Sequence, residues 1–100
     1  MKLELMIDGK KKMFTTNFVS ARHFRQLMEY DSKIDYTDLA VEDADELVGF
    51  VCEVFNNQFS PDEFYDGIPS HELISTIGDV FYFIRTGETP ERVKESDTGK

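Results

Sequence analysis

Residues 55–69 read Phe-Asn-Asn-Gln-Phe-Ser-Pro-Asp-Glu-Phe-Tyr-Asp-Gly-Ile-Pro, and this run constrains the fold more than any other part of the chain. Ser60 carries the side-chain oxygen an N-cap needs. Pro61 takes the first helical position, where no N–H is required, and Glu63 stands three residues after the cap, as a capping box demands. Phe59 and Phe64 sit at the two ends of a hydrophobic staple, which fixes the angle at which the chain enters the helix. Gly67 tolerates a left-handed exit and Pro69 cannot continue a helix, so the helix is expected to span 61–66. One helix must therefore end before this run and another must begin after it.

The flanking segments supply the other elements. Leu3, Leu5 and Ile7 alternate with Lys2, Glu4 and Met6 in the period-2 pattern of a half-buried strand, and Asp8-Gly9 is a hairpin turn. A second strand should follow over about residues 11–16. A two-residue loop sets Leu5 opposite Lys12, whereas a longer loop sets it opposite Met13 or Phe14; packing favours the longer loop. A two-stranded ribbon is marginal in water, so its apolar face must rest on the helices or on a neighbouring subunit. Ser20 is positioned to cap a helix over 20–30, with Phe24, Leu27 and Met28 on one side, and 31–38 reads as a loop.

A helix over 42–58 opens on Glu42, Asp43, Asp45 and Glu46, which meet the positive end of the helix dipole. Its apolar residues Ala44, Leu47, Val48, Phe50, Val51, Val54 and Phe55 cover roughly 160° of the helix surface, which makes it the central core helix. A last helix over 71–86 is capped by Ser70 and ended by Gly87 and Pro90, with Leu73, Ile74, Ile77, Val80, Phe81 and Ile84 as its core face. The expected fold is thus α+β and mainly α-helical: an N-terminal β-hairpin, about four helices, and a polar C-terminal tail. Residues 1–87 form one globular domain, and the tail over 88–100 is expected to be disordered.

Charge is concentrated rather than spread. The net charge is −9, and residues 41–75 hold nine Asp or Glu and no Lys or Arg, whereas residues 1–40 hold seven basic and six acidic side chains. A protein that neutralises phosphates needs a basic patch, so nucleic acid is excluded as the principal ligand; Lys10, Lys11 and Lys12 read as a solvated turn. The chain lacks any long apolar run, which excludes a membrane span, and no targeting segment is visible at its start. Cys52 is the single cysteine, so a reducing cytoplasm is the natural compartment.

Reactive chemistry is sparse. His23 and His71 have neither metal-type spacing nor a nucleophile beside them, and Cys52 lies in an apolar helix with no neighbouring cation to lower its pKa. The acids at 42–46 lack the ligand order of a calcium loop, and the glycines are scattered singly rather than gathered into a phosphate loop. The expectation is a non-enzymatic protein without metal or cofactor.

One anomaly points to a partner. Phe81, Tyr82 and Phe83 are consecutive on the last helix and spread over about 200°, so they cannot all face one core. Tyr82 projects from the face that carries Ser75 and Asp79, and Phe83 lies at the edge of the core stripe. Tyr82 is either half-buried under a loop or part of a protein-binding surface, where Tyr and Phe are enriched.

The helix ending in Asn57-Gln58-Phe59, the short helix closing on Asp66-Gly67-Ile68-Pro69, the Leu5-Met6-Ile7-Asp8-Gly9-Lys10 hairpin and the helix from Ser70 to Thr86 together resemble the tail assembly chaperones of long-tailed phages of Gram-positive bacteria. The resemblance covers most of the chain. It implies a protein that binds the tape measure protein in the host cytoplasm, keeps it soluble while the tail tube assembles, and is absent from the finished virion. It also implies a longer form made by a −1 frameshift near the end of the reading frame, whose extension recruits the tail tube protein. The candidate contacts are Phe59, Tyr65, Tyr82 and Phe83, of which Tyr65 is freer than the stapled Phe59, and homo-oligomerisation through the hairpin edge is a further expectation. The rival reading is an acidic DNA mimic that inhibits a basic host enzyme, its affinity collapsing as salt rises.

Overall fold

The computed structural model, which describes residues 1–90, begins with β1 (Lys2–Ile7) and β2 (Lys10–Thr15), antiparallel and joined by Asp8 and Gly9. Both turn residues have positive φ, 54° and 75°, the signature of a two-residue type I′ hairpin turn. Leu5 therefore lies opposite Lys12 and Leu3 opposite Phe14, so the longer loop expected from packing is not formed. Leu5 does not need an apolar cross-strand partner. Leu5 is instead fully buried from another direction, by the end of helix α3 (Pro61–Gly67).

Helix α1 (Ala21–Lys33) runs three residues beyond the expected end at Tyr30, and the Ile34 N–H still bonds the Tyr30 carbonyl at 2.8 Å. Ser20 stands at the N-cap position, but its hydroxyl lies 3.4 Å from His23 Nδ1 rather than on a helix N–H. The side that packs inward carries Leu27 and Tyr30, with the His23 ring 6.0 Å from that of Phe50; Phe24 and Met28, expected on the apolar side, are exposed.

Helix α2 (Val41–Val54) is the central element: Leu47, Val48, Phe50, Val51, Cys52 and Val54 are buried. Asp43 Oδ2 accepts from the Ala40 N–H at 3.2 Å at its start. The helix stops at Val54 instead of running to residue 58 because Asn56 and Asn57 both take left-handed backbone, φ 59° and 56°. Asparagine tolerates that conformation, and two in succession unwind the helix. The released turn is used to hold the hairpin. Gln58 Nε2 donates to both the Thr15 and the Phe55 carbonyls at 2.9 Å, and Thr16 Oγ1 donates to the Val54 carbonyl at 3.2 Å.

Helix α3 has the expected capping box: Glu63 N–H donates to Ser60 Oγ at 3.1 Å and Ser60 N–H to Glu63 Oε1 at 2.9 Å. The staple is formed too, with the Phe59 and Phe64 rings stacked at 6.0 Å. Gly67 is the last residue of α3 and its φ is not positive, so the left-handed exit expected there is absent. Its need is for space: a Cβ would stand 2.8 Å from the Met6 carbonyl oxygen and 3.1 Å from Leu5 Cβ. A single 3₁₀ turn, Ser70–Glu72, then precedes helix α4 (Leu73–Thr86), so Ser70 begins that turn and its side chain caps nothing.

The observed architecture is the expected hairpin followed by four helices, with the hairpin, α1, α3 and α4 arranged around α2. From residue 91 onward, the tail expected to be disordered lies outside the described residues.

Candidate binding groove

Helix α4 buries Thr76, Ile77, Val80, Phe81 and Ile84 and leaves Ile74 and Tyr82 at the surface, 54% and 44% exposed. Those two are eight positions apart, with Gly78 midway on the same side of the helix, so the wall between them carries no side chain. Across from this notch stand Leu47 of α2 and Tyr36 and Leu39 of the α1–α2 connection. Together they enclose an open groove of about 350 Å³, floored by the buried Leu47, Ile77 and Phe81.

One end of the groove is framed by polar contacts. Arg85 binds Asp31 in a bidentate pair, Nη1 to Oδ2 and Nη2 to Oδ1, both 2.9 Å, and Tyr36 OH donates to Asp31 Oδ1 at 2.7 Å. The Tyr36 ring lies 5.8 Å from that of Phe81. These bonds fasten the end of α1 and the following connection to α4, so the outer wall of the groove is held in place. The Arg85 guanidinium keeps the Asp31 carboxyl below the usual aspartate range, while burial, with the bond to Asp31, pushes the Tyr36 phenol far above its ordinary value.

The four aromatic candidates do not converge. Tyr82 lines the groove. Phe83 is half-buried and packs against the core. Tyr65 is half-buried, and its hydroxyl donates to Asp45 Oδ1 at 2.6 Å, pinning α3 to α2; burial and that bond push the phenol up to about 12. Phe59 is buried among Phe14, Phe55 and Phe64, at centroid distances of 5.0, 5.6 and 6.0 Å, so in this conformation it belongs to the core. The groove also contains residues that periodicity did not single out as surface. Ile74 reads as part of the α4 core face, and Tyr36 and Leu39 belong to or border the segment read as a loop.

Among the described residues no group of three or more His, Cys, Asp or Glu is placed to hold a metal ion, and no helix is long and apolar enough to cross a membrane. By fold and surface the chain falls in the class of small acidic α+β domains with an open apolar groove. It belongs to the phage tail chaperone protein family, whose model matches residues 1–100, and that membership supports a role in tail assembly. No curated protein and no solved structure matches the chain.

Proposed function

We propose that this protein acts in the host cytoplasm as a tail assembly chaperone for the tape measure protein. It seats an amphipathic helical segment of that partner in the groove between α2 and α4 and is released before the virion is complete. The observation that carries this reading is the groove: an apolar floor with Ile74 and Tyr82 exposed at its rim, on a member of the phage tail chaperone family. An amphipathic helix recognised in this way contributes apolar anchors at i, i+3 and i+4 spacing, and Tyr is well suited to the facing rim. Acidic charge over 41–75 opposes aggregation of the loaded chaperone. A frameshifted extension beyond this chain would recruit the tail tube protein.

The acids of the middle segment already have local work, which weakens the rival reading as a DNA mimic. Asp43 bonds the Ala40 N–H, Glu63 bonds the Ser60 N–H and Asp45 accepts from Tyr65.

Co-expression with helical fragments of the tape measure protein tests the proposal. The unmodified chain should carry at least one fragment into the soluble fraction and co-purify with it. The double variant Ile74→Ser, Tyr82→Ala should fail to do so while keeping its circular dichroism spectrum, because both side chains are at the surface. Equal solubilisation by the double variant would refute the groove as the site.

A further inference from the structure

Among the described residues, the outer edge of β1 is another open surface. Ile7 and Lys10 close the two-residue turn, and Met1 and Thr16 exchange both backbone bonds at the other end of the ribbon, at 2.6 and 2.9 Å. The odd-numbered residues of β1 therefore direct their backbone groups at β2. Lys2, Glu4 and Met6 direct theirs outward, and no backbone group of the described residues outside the ribbon bonds them. Beside this edge, and reaching over the exposed face of the ribbon to Lys11 and Met13 of β2, runs a groove of about 690 Å³, bounded by Lys2, Glu4 and Met6 on one side and by Ile68, Glu72 and Thr76 on the other. An unpaired edge of this kind is a template for another strand.

From the charges on this edge we infer that the strand it accepts is β1 of a second copy of the chain, paired antiparallel about a two-fold axis at Leu3. In that register Lys2 of each copy lies opposite Glu4 of the other, so two hydrogen-bonded pairs form and both match opposite charges. The alternatives are worse on two counts. Centring the axis on Glu4 sets Glu4 against Glu4. Centring it on Glu4 or on Leu5 also requires the outward groups of Met6, where Gly67 already stands so close that even its Cβ would be 2.8 Å from the Met6 oxygen. The two pairs formed about Leu3 use no outward group of Met6 and so avoid that obstruction. The interface is isologous, as a two-fold dimer requires, and small, so association is weak and concentration-dependent. Dimerisation joins the two hairpins into one four-stranded sheet, which relieves the marginal stability of an isolated two-stranded ribbon.

Sedimentation velocity over about 10 µM to about 1 mM, the range suited to an interface of this size, tests the inference. The unmodified chain should pass from monomer to dimer across the series; a monomer at every concentration overturns the proposal. Lys2→Glu turns both matched pairs into like-charge pairs and should weaken the dimer at least about tenfold. Adding Glu4→Lys to Lys2→Glu should recover most of the lost affinity, since the exchange regenerates both pairs across the interface while giving up only the exposed Glu4–Lys11 pair, 3.8 Å within each chain. Failure of the double exchange to restore a dimer that the single change has weakened overturns the register. Glu4→Pro removes an N–H that points outward and leaves the bonds to β2 intact, so it should give a folded monomer. A dimer that survives Glu4→Pro with unchanged affinity overturns the edge as the interface.

Discussion

Replacing Gly67 by Ala separates two physical accounts of that residue. If glycine served only to end α3, alanine would cost little and would gain about 0.4–1 kcal/mol by restricting the unfolded chain. The geometry opposes this. The added Cβ would lie 2.8 Å from the Met6 carbonyl oxygen, 3.1 Å from the Met6 nitrogen and 3.1 Å from Leu5 Cβ. Two of those atoms are backbone of β1, which cannot retreat without carrying β2 with it. Relief requires α3 to lift from the strand and expose Leu5, so the substitution behaves as overpacking, which costs about 1–3 kcal/mol. Set against the entropic gain, the expected net loss is about 1–2 kcal/mol, or a fall of about 5–15 °C in Tm for a domain of this size. Gly49→Ala is the control. It lies inside α2 with nothing within 4 Å of its Cβ position, so it should gain about 0.5–1 kcal/mol from helix propensity. Thermal and urea unfolding followed by far-ultraviolet circular dichroism measure both. A midpoint for Gly67→Ala at or above that of the unmodified chain refutes the close-approach argument.

Two other groups make separate predictions. Burial, reinforced by the charges of Glu53 and Glu63, pushes the Cys52 thiol up to about 11, so its thiolate fraction at mildly alkaline pH falls about a hundredfold below that of a free cysteine. Labelling by a disulfide reagent should be at least that much slower for the folded protein than in denaturant, and fast labelling of folded protein would contradict the burial. Asp31 has its folded pKa depressed, first by the hydrogen bonds from Arg85, so the stability it contributes is present above the ordinary aspartate range and is lost as pH falls through the folded value. Arg85→Met keeps the stem of the side chain. It should cost about 0.5–1 kcal/mol at neutral pH, a figure held low because the paired side chains are 38% and 34% exposed. Urea midpoints should show that difference shrinking towards about pH 3; a difference independent of pH would remove the ion pair as its cause.

Local chemistry was legible wherever a few adjacent residues decide the outcome. The capping box of Ser60 and Glu63 and the Phe59–Phe64 staple form as expected, because each is settled within a handful of residues; Asp8-Gly9 makes the hairpin turn, but as a two-residue loop rather than the longer one expected. Errors arise where a distant segment decides. Leu5 has a lysine as its cross-strand partner because α3, more than fifty residues later in the chain, covers it. Periodicity places Ile74 in the core face of α4, but Leu73 and Ile77 beside it take the inward positions and leave it at the groove rim, and Phe24 and Met28 are left exposed because α1 meets the core along Leu27 and Tyr30. The end of α2 differs from the expected residue 58 for the same reason: an asparagine pair is compatible with a helix until both residues turn left-handed, and the anchoring bonds from Gln58 that accompany the turn reach across to β2. The groove was legible only as one aromatic too many. Tyr82 announces a surface, but its facing wall, Tyr36 and Leu39, comes from a connection with no periodicity to read.

The two open surfaces lie on opposite flanks of α4, and this makes the claims about them separable. Glu72, Thr76 and Asp79 face the β1 edge, whereas Ile74, Gly78, Tyr82 and Arg85 face the apolar groove, and no residue lines both. The buried stripe of Ile77, Val80, Phe81 and Ile84 anchors the helix between them. A dimer formed through β1 therefore leaves both grooves of the pair unobstructed by the strand contact itself. Variants at Lys2 and Glu4 should change the concentration at which the protein dimerises without touching the residues proposed to hold a partner helix. Variants at Ile74 and Tyr82 should do the reverse. If one set of changes abolished both dimerisation and fragment binding while the fold persisted, the two surfaces could not be independent, and the helix between them would have to transmit a rearrangement that its packed stripe resists.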